Sequence, residues 1–503
     1  MNLSKYPIFL VLMIQTGLAM LLPAFHAFSM ESHSEARSFL YAGILLILIS
    51  IFIGIAVRKI ETPEISQRNQ LLILLGSFVL LPVFMAVPFH DAVQKITYLE
   101  AYFEMASSFT TTGASLFSNP IEYTISQHLW RAEVAWLGGY VILVAAVAIL
   151  APMHLGGYEV IGASGELGHQ GRLAESAVRE GASGRIGRWS GRIFPVYAGV
   201  TGLLWFGLVM TGQEVSVALI HAMSVLSTSG ISPAGGFNGG QFNFFTEALV
   251  CLFALAGLSR LTLLPDSKQG MGLLKDKEIR LGMAIAIIVP LLLLLRHWAA
   301  EIEYGGTETI LTSLKAFWGG LFTSVSFLTT TGFVSAEWGE IALWSGLGSP
   351  GILLAGLAVV GGGVATTAGG VKLLRVYALF GQGKREMDKL VYPSSIGYSG
   401  SRSQRIAREG TRIAWVFFML YALSIAGVMT ALSFLGVNFE QAAILAISAL
   451  STTGPLAEVA MSEPFSYGML PPAAQLILVA TMIVGRLEAL ALIALFNRDF
   501  WRS

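Results

Sequence analysis

Between Ser38 and Val57 the chain reads SFLYAGILLILISIFIGIAV, without one charged side chain. A helix needs about 20 mostly apolar residues to cross the hydrocarbon core of a bilayer, and this stretch supplies them. Nine further stretches do so as well: 5–28, 69–89, 127–153, 192–212, 244–264, 280–296, 345–379 (interrupted by glycines), 411–436 and 471–496. Charged residues form 12% of the chain and hydrophobic residues 54%, whereas soluble domains carry about 25% charged residues. Such a chain cannot cover itself with polar groups, so lipid must solvate its outer face. The expected fold is an all-α polytopic membrane protein, because a helix satisfies its own backbone in lipid. The apolar opening MNLSKYPIFLVLMIQTGLAMLLPAF is read as a first span rather than a cleaved leader, since further spans follow it.

An even number of spans places both termini on one side. With a cytoplasmic N-terminus, 24 of the 31 Lys and Arg residues fall on or against the cytoplasmic face, as the positive-inside rule requires. Formal net charge is zero, so nothing in the composition points to nucleic acid. Cys251 is the single cysteine, which excludes an intrachain disulfide and a cysteine metal cluster. The eight histidines are scattered, with no pair at helical metal-ligand spacing.

Shorter elements lie between the members of the last four pairs of spans, at about 97–112, 215–229, 311–331 and 439–453. Each ends in a hydroxyl-rich turn: Thr110-Thr111-Thr112-Gly113, Ser227-Thr228-Ser229-Gly230, Thr329-Thr330-Thr331-Gly332 and Ser451-Thr452-Thr453-Gly454. The glycines recur 117, 102 and 122 residues apart, each in the frame span, half-helix, turn, span. Small polar residues are common in packed membrane helices, but four copies in equivalent places make an internal repeat. The expected divisions are an N-terminal two-helix hairpin at 1–62 and repeats at 63–160, 161–270, 271–390 and 391–503.

Non-helical backbone at membrane depth is tolerated where it lines a polar cavity. Four such turns around a pseudo-fourfold axis would set carbonyl and hydroxyl oxygens around one passage, able to replace the hydration shell of a cation. Each half-helix would also direct its partly negative C-terminus there. The turns contain no carboxylate, which favours a monovalent over a divalent ion.

The eighth span is broken by GGGVATTAGG. Five glycines in ten residues cannot hold a straight helix, since each interior glycine costs about 1 kcal/mol relative to alanine. The candidate gate comprises Gly361, Gly362, Gly363, Thr366, Thr367, Gly369, Gly370, Lys372 and, from the last span, Arg486. A packing kink is the alternative for the loop. For Arg486 a structural ion pair, with Glu488 or another buried carboxylate, stands beside a fixed charge below the filter. Glu104, nine residues before Gly113, reads as a structural anchor, and Arg131 as a donor to filter or loop backbone. No His-Glu pair, Ser-Lys dyad or Asp pair stands at membrane depth to support an intramembrane enzyme.

EAYFEMASSFTTTGAS, RAEVAWLGGYVILVAAVAIL, GGGVATTAGGVKLLRV and GRLEALALIALFNRDFWR together make the chain resemble the Trk/Ktr/HKT superfamily of potassium transporters, in its TrkH/TrkG form. The resemblance implies a channel-like K+ uptake subunit with four M1–P–M2 repeats, the four turns as filter and the broken span as gate. It further implies a homodimer in the bacterial inner membrane, K+ as the transported ion, no bound cofactor, and a TrkA/RCK-type cytoplasmic nucleotide-binding partner. The Gly-, Ser- and Arg-rich loops 155–191 and 381–410 read as solvated loops on the cytoplasmic face, the face on which the resemblance places that partner. The unequal residues around the glycines leave sodium or mixed Na+/K+ passage as the second expectation.

Overall fold

A computed structural model describes residues 8–488 apart from 58–66, 118, 154, 159, 161–181, 237–242, 264–275, 305–309, 340, 342–349, 392–401 and 462–464. The C-terminal tail from 489 on, residues 161–181 of the first cytoplasmic loop and 392–401 of the second lie outside the described residues. Every regular element among those described is helical.

An N-terminal hairpin leads through α1 (Ile8–Ala19) and α2 (Leu21–Ser29) and returns through α3 (His33–Val57). Gly17 and Gly43 allow its arms to touch: a methyl group on Gly43 would lie 2.8 Å from the Gly17 carbonyl oxygen. This is the small-residue contact of tightly packed membrane helices. The hairpin is tied to the body through His26, whose ring nitrogens lie 2.8 and 3.0 Å from the hydroxyls of Ser126 and Ser216.

Four similar units follow. The first contains α4 (Gln67–Val93), α5 (Tyr98–Phe109) and α6 (Ile125–Ala145); the second contains α7 (Ala182–Met210), α8 (Val215–Ser227) and α9 (Phe244–Ala254). The third has α10 (Lys277–Tyr304), α11 (Ile310–Leu328), α12 (Pro350–Val360) and α13 (Leu373–Val391). The fourth has α14 (Arg402–Phe434), α15 (Phe439–Leu450), the short α16 (Leu456–Ala460) and α17 (Pro472–Leu487). At 12 or 13 residues, α5, α8 and α15 are about 18–20 Å long, well short of the bilayer core. Reciprocal capping boxes start two helices, Thr97 with Glu100 on α5 and Thr124 with Gln127 on α6. They satisfy donors that a helix start would otherwise leave open.

Seven helices among the described residues are long and apolar enough to cross a membrane. The other three expected spans, 244–264, 345–379 and 471–496, are not continuous helices. After Ala254, α9 tightens into a 3-10 turn at Leu255–Leu258; α12 stops at Val360; α17 stops at Leu487, with Glu488 at φ 63°. At α9 the cause is visible: the glycine-rich segment after α12 takes over a backbone acceptor of the 3-10 turn. The Gly363 N–H donates to the Gly257 carbonyl at 2.9 Å, and Thr366 Oγ1 donates to the same oxygen at 3.1 Å. The inner end of α6 also departs from α geometry, in a π turn at Ala146–Leu150. Ala146 packs there against Val364 and Ala365 of the same segment.

The outer faces stay apolar. Phe52 on α3 and Leu423 and Phe434 on α14 are 69%, 69% and 86% exposed, a surface suited to lipid rather than water.

Candidate functional site

The helices α5, α8, α11 and α15 all end alike. Two residues before each glycine, Thr111, Thr228, Thr330 and Thr452 adopt left-handed φ values of 56, 57, 57 and 53°. A β-branched residue is strained there, and fourfold recurrence makes the strain part of the site. Six residues before each glycine stands a serine: Ser107, Ser224, Ser326 and Ser448. Its carbonyl accepts from the N–H just before the glycine, at 2.8 Å for Thr112, 3.0 Å for Ser229, 2.8 Å for Thr331 and 2.9 Å for Thr453. A second bond runs from the left-handed threonine back three residues, as from Thr111 to Ser108 at 2.8 Å. This is a Schellman helix end with threonine where glycine is usual.

The hydroxyls divide into two sets. Those flanking the left-handed residue bond each other: Thr110 to Thr112 at 2.9 Å, Ser227 to Ser229 at 3.1 Å, Thr329 to Thr331 at 3.0 Å and Ser451 to Thr453 at 3.1 Å. They brace the turn. The left-handed threonines present the other set. Thr111 and Thr452 have Oγ1 atoms without a hydrogen-bond partner, while those of Thr228 and Thr330 meet the broken span.

The turns form a closed ring in chain order. A methyl group on Gly113 would lie 1.7 Å from the Ser229 carbonyl oxygen, one on Gly230 2.2 Å from that of Thr331, and one on Gly332 3.0 Å from Pro455. One on Gly454 would lie 2.2 Å from the Ala114 nitrogen, which closes the circle. The Gly454 N–H donates to the Thr112 carbonyl at 2.6 Å across that last joint. Three of the glycines have positive φ, 72, 68 and 85°; Gly454, which precedes Pro455, does not. All twelve hydroxyl residues of the turns are buried. A ring of such oxygens can take the place of a cation's water shell.

Glu104 anchors the first turn from behind. Its Oε1 accepts from the Leu116 N–H at 2.6 Å and from the Tyr123 hydroxyl at 2.7 Å. Arg131 does not reach backbone, as expected from sequence, but donates from Nε to Glu104 Oε2 at 2.8 Å, with both side chains buried.

The GGGVATTAGG segment folds back on itself. The Val371, Lys372 and Leu373 N–H groups donate to the carbonyls of Val359, Val360 and Gly362 at 2.9, 3.0 and 2.9 Å. The resulting loop lies against the inner side of the ring. The Gly369 N–H donates to Thr330 Oγ1 at 2.8 Å, Thr228 Oγ1 donates to the Thr367 carbonyl at 2.9 Å, and Thr367 Oγ1 donates to the Leu226 carbonyl at 3.0 Å. Gly369 has no room for a side chain: a methyl group would sit 2.1 Å from the Ser451 carbonyl oxygen. The loop therefore touches the second, third and fourth turns at once.

Three charged groups hold the loop. Arg486 Nη1 donates to the Thr367 carbonyl at 2.5 Å, and its Nε and Nη2 have no partner among the described residues. They face a cavity of about 20 Å³, lined also by Lys372, Gly369 and Glu488, with room for about one water. Glu488 is not the partner of Arg486; it pairs with the fully buried Arg375 at 2.6 Å. Lys372 donates to the Ala368 carbonyl, and Glu278 accepts from the Val364 N–H at 2.8 Å. Arg375, Glu278 and the four serines were missed from sequence; only the serines carried a signal there, a fixed offset from each glycine.

Beyond the ring, Glu458 on α16 is solvent-exposed yet closely surrounded by protein. Desolvation pushes its carboxyl up to about 7, opposed by Arg131 and reinforced by Glu104. Among the described residues no group of three His, Cys, Asp or Glu side chains could hold a metal ion.

Comparison with known proteins places this geometry. A family model described as TrkH, cation transport protein, matches residues 204–502, more than half of the chain. The Trk system potassium uptake protein TrkH of Salmonella typhimurium is 28% identical over 466 residues, covering 90% of this chain and 92% of that protein. The TrkH protein of Escherichia coli K12 is 28% identical over 448 residues, covering 88% of each. The crystal structure of the potassium transporter TrkH from Vibrio parahaemolyticus superposes with a TM-score of 0.78 at 24% identity, covering 100% of both chains.

Proposed function

The chain belongs to the TrkH family of cation transport proteins, and from that premise we propose that it is a pore-forming potassium-uptake subunit. The observation that carries this reading is the closed ring of four turns, each contributed by one repeat in chain order. Thr110–Gly113, Ser227–Gly230, Thr329–Gly332 and Ser451–Gly454 form the filter, and the oxygens around them take the place of water on a passing K+ ion. The loop Gly361–Gly370, with Lys372 and Arg486, is the gate, closed against the ring in this conformation. Repeats spanning 63–160, 161–270, 271–390 and 391–503 are the working units, with 1–62 as an accessory hairpin. Entry down a 100 mV potential, inside negative, releases about 2.3 kcal/mol per monovalent cation, so the ion needs a gate more than a pump.

A homodimer in the inner membrane with cytoplasmic termini, and a TrkA-type regulatory partner on that face, complete the proposal. The relatives named for the Trk potassium uptake system support this, as does the excess of Lys and Arg in the cytoplasmic loops. A mixed Na+/K+ pathway is the second reading, favoured by the serines Ser227, Ser229 and Ser451 where the other turns carry threonine.

Rubidium-86 uptake into proteoliposomes, with potassium or sodium as competitor, tests both. Competition by potassium alone, weakened in Gly113→Ser, supports the potassium filter. Equal competition by sodium selects the mixed pathway. Absence of flux with the regulatory partner present would overturn the pore itself.

A further inference from the structure

Each strand leaving the ring must be held from behind, and the four repeats do this with different charges. In the first, Glu104 is neutralised by Arg131 at 2.8 Å. In the second the holder is neutral: His221 bridges Gln213 at 3.0 Å and the Ser232 hydroxyl at 2.9 Å. In the fourth it is again neutral, with the Tyr467 hydroxyl donating to the Gly454 carbonyl at 2.9 Å.

The third repeat is held by Glu247, which comes from α9 of the second. Its Oε1 accepts from the Ala336 N–H at 2.9 Å, and the Ser335 hydroxyl lies 3.0 and 3.1 Å from its two oxygens. Oε2 accepts from the Trp318 indole N–H at 2.9 Å. The backbone N–H and the indole are donors only, so both oxygens act as acceptors, a set of partners that a carboxylate fits. Glu247 is 4% exposed, and among the described residues no basic side chain pairs with it. Ser335 follows Gly332 by three residues, a reach of at most about 10 Å. The half-buried Glu337 adds a second acid next to Ser335, and its N–H donates to the Ser335 hydroxyl at 3.3 Å.

We propose that Glu247 is a positioning residue for the transported cation that also sets its affinity. Its hydrogen bonds fix the strand 335–336, and its charge, without a basic partner among the described residues, stands behind the third wall of the ring. This rests on the pore reading given above. A unit charge on the order of 10 to 15 Å away, at an effective dielectric of about 20, changes cation affinity by roughly fivefold to fifteenfold.

Glu247→Gln removes the charge at nearly constant shape, although the new amide N–H₂ faces the Trp318 N–H. The double variant Glu247→Gln with Trp318→Phe avoids that clash, Trp318→Phe alone is its control, and Glu247→Asp keeps the charge. Rubidium uptake is measured in proteoliposomes as KM, maximal rate and sodium competition. The expected result is a KM raised about fivefold in the double variant, with the maximal rate within about twofold and potassium-over-sodium preference kept, while Glu247→Asp stays near the wild-type KM. If the double variant does not yield folded protein, Glu247→Gln alone carries the comparison. An unchanged KM, an equal rise in Glu247→Asp, or a loss of ion preference would overturn the assignment and leave Glu247 a structural brace. A wild-type chain without flux would instead remove the pore reading, independently of any variant.

Discussion

The carbonyl of Thr367 is approached by two donors, Arg486 Nη1 at 2.5 Å and Thr228 Oγ1 at 2.9 Å, the latter hydroxyl shared with the Ser227 carbonyl at 2.7 Å. One oxygen thus joins the candidate gate, a filter threonine of the second repeat and a buried cation of the fourth. Hydrogen bonds to charged groups contribute about 1.5–3 kcal/mol, so Arg486 is the stronger of the two holds. Arg486→Met is expected to raise resting rubidium flux on the order of tenfold. Flux recorded without a regulatory partner, and found unchanged, would remove Arg486 from the gate.

The threonines at left-handed positions separate gate contact from filter contact. Thr330 Oγ1 accepts from the Gly369 N–H at 2.8 Å, whereas Thr452 Oγ1 has no hydrogen-bond partner. Thr330→Val should raise resting flux about fivefold by leaving that N–H open, while Thr452→Val should leave it within about twofold. Equal effects of the two substitutions in a side-by-side flux assay would contradict the assignment.

The buried Glu104–Arg131 pair supports the first strand. Removing one partner of a buried pair costs about 3–5 kcal/mol because the other charge is stranded. Glu104→Gln should therefore lower the thermal unfolding midpoint of the purified protein clearly, and Glu104→Gln with Arg131→Met should recover part of the loss. A single variant as stable as wild type would show that the pair does not hold the turn.

Glu458 gives a dependence on pH. Its carboxyl, ordinarily near 4.5, is pushed up to about 7 by desolvation. The folded chain then binds more protons than the unfolded one between those values, so this group's contribution to stability falls as pH rises through that window. Above about 7 it is ionised and attracts cations at the approach to the ring. Rubidium KM should drop about twofold between pH 6 and 8, and Glu458→Gln should flatten the profile. A profile identical in wild type and variant would exclude Glu458.

Much of this was legible in the sequence because membrane helices are written in long apolar runs. The four turns were legible because they recur in frame. The break in α9 was not, since Leu255–Leu258 is apolar apart from one glycine. The Gly257 carbonyl is taken by a loop remote in sequence, a tertiary effect that local composition does not encode. The strained threonines were hidden for a related reason: threonine disfavours left-handed backbone, and only the surrounding ring overrides that preference. Glu247 looked like an ordinary helix-start acid, because the strand it holds lies 88 residues away from it at Ser335. Arg486 stood out within an apolar span, yet its partner proved to be a carbonyl rather than the carboxylate two residues on.

The joint between Gly454 and Thr112 bears on how such a protein is made. The other joints of the ring link a repeat to the one synthesised next, with Pro455 reaching Gly230 as well, whereas this one joins the last repeat to the first. A nascent chain therefore has no complete passage for ions until its fourth repeat has entered the membrane. The loop at 361–370 precedes that repeat in the chain, so it is synthesised before the wall that completes the ring.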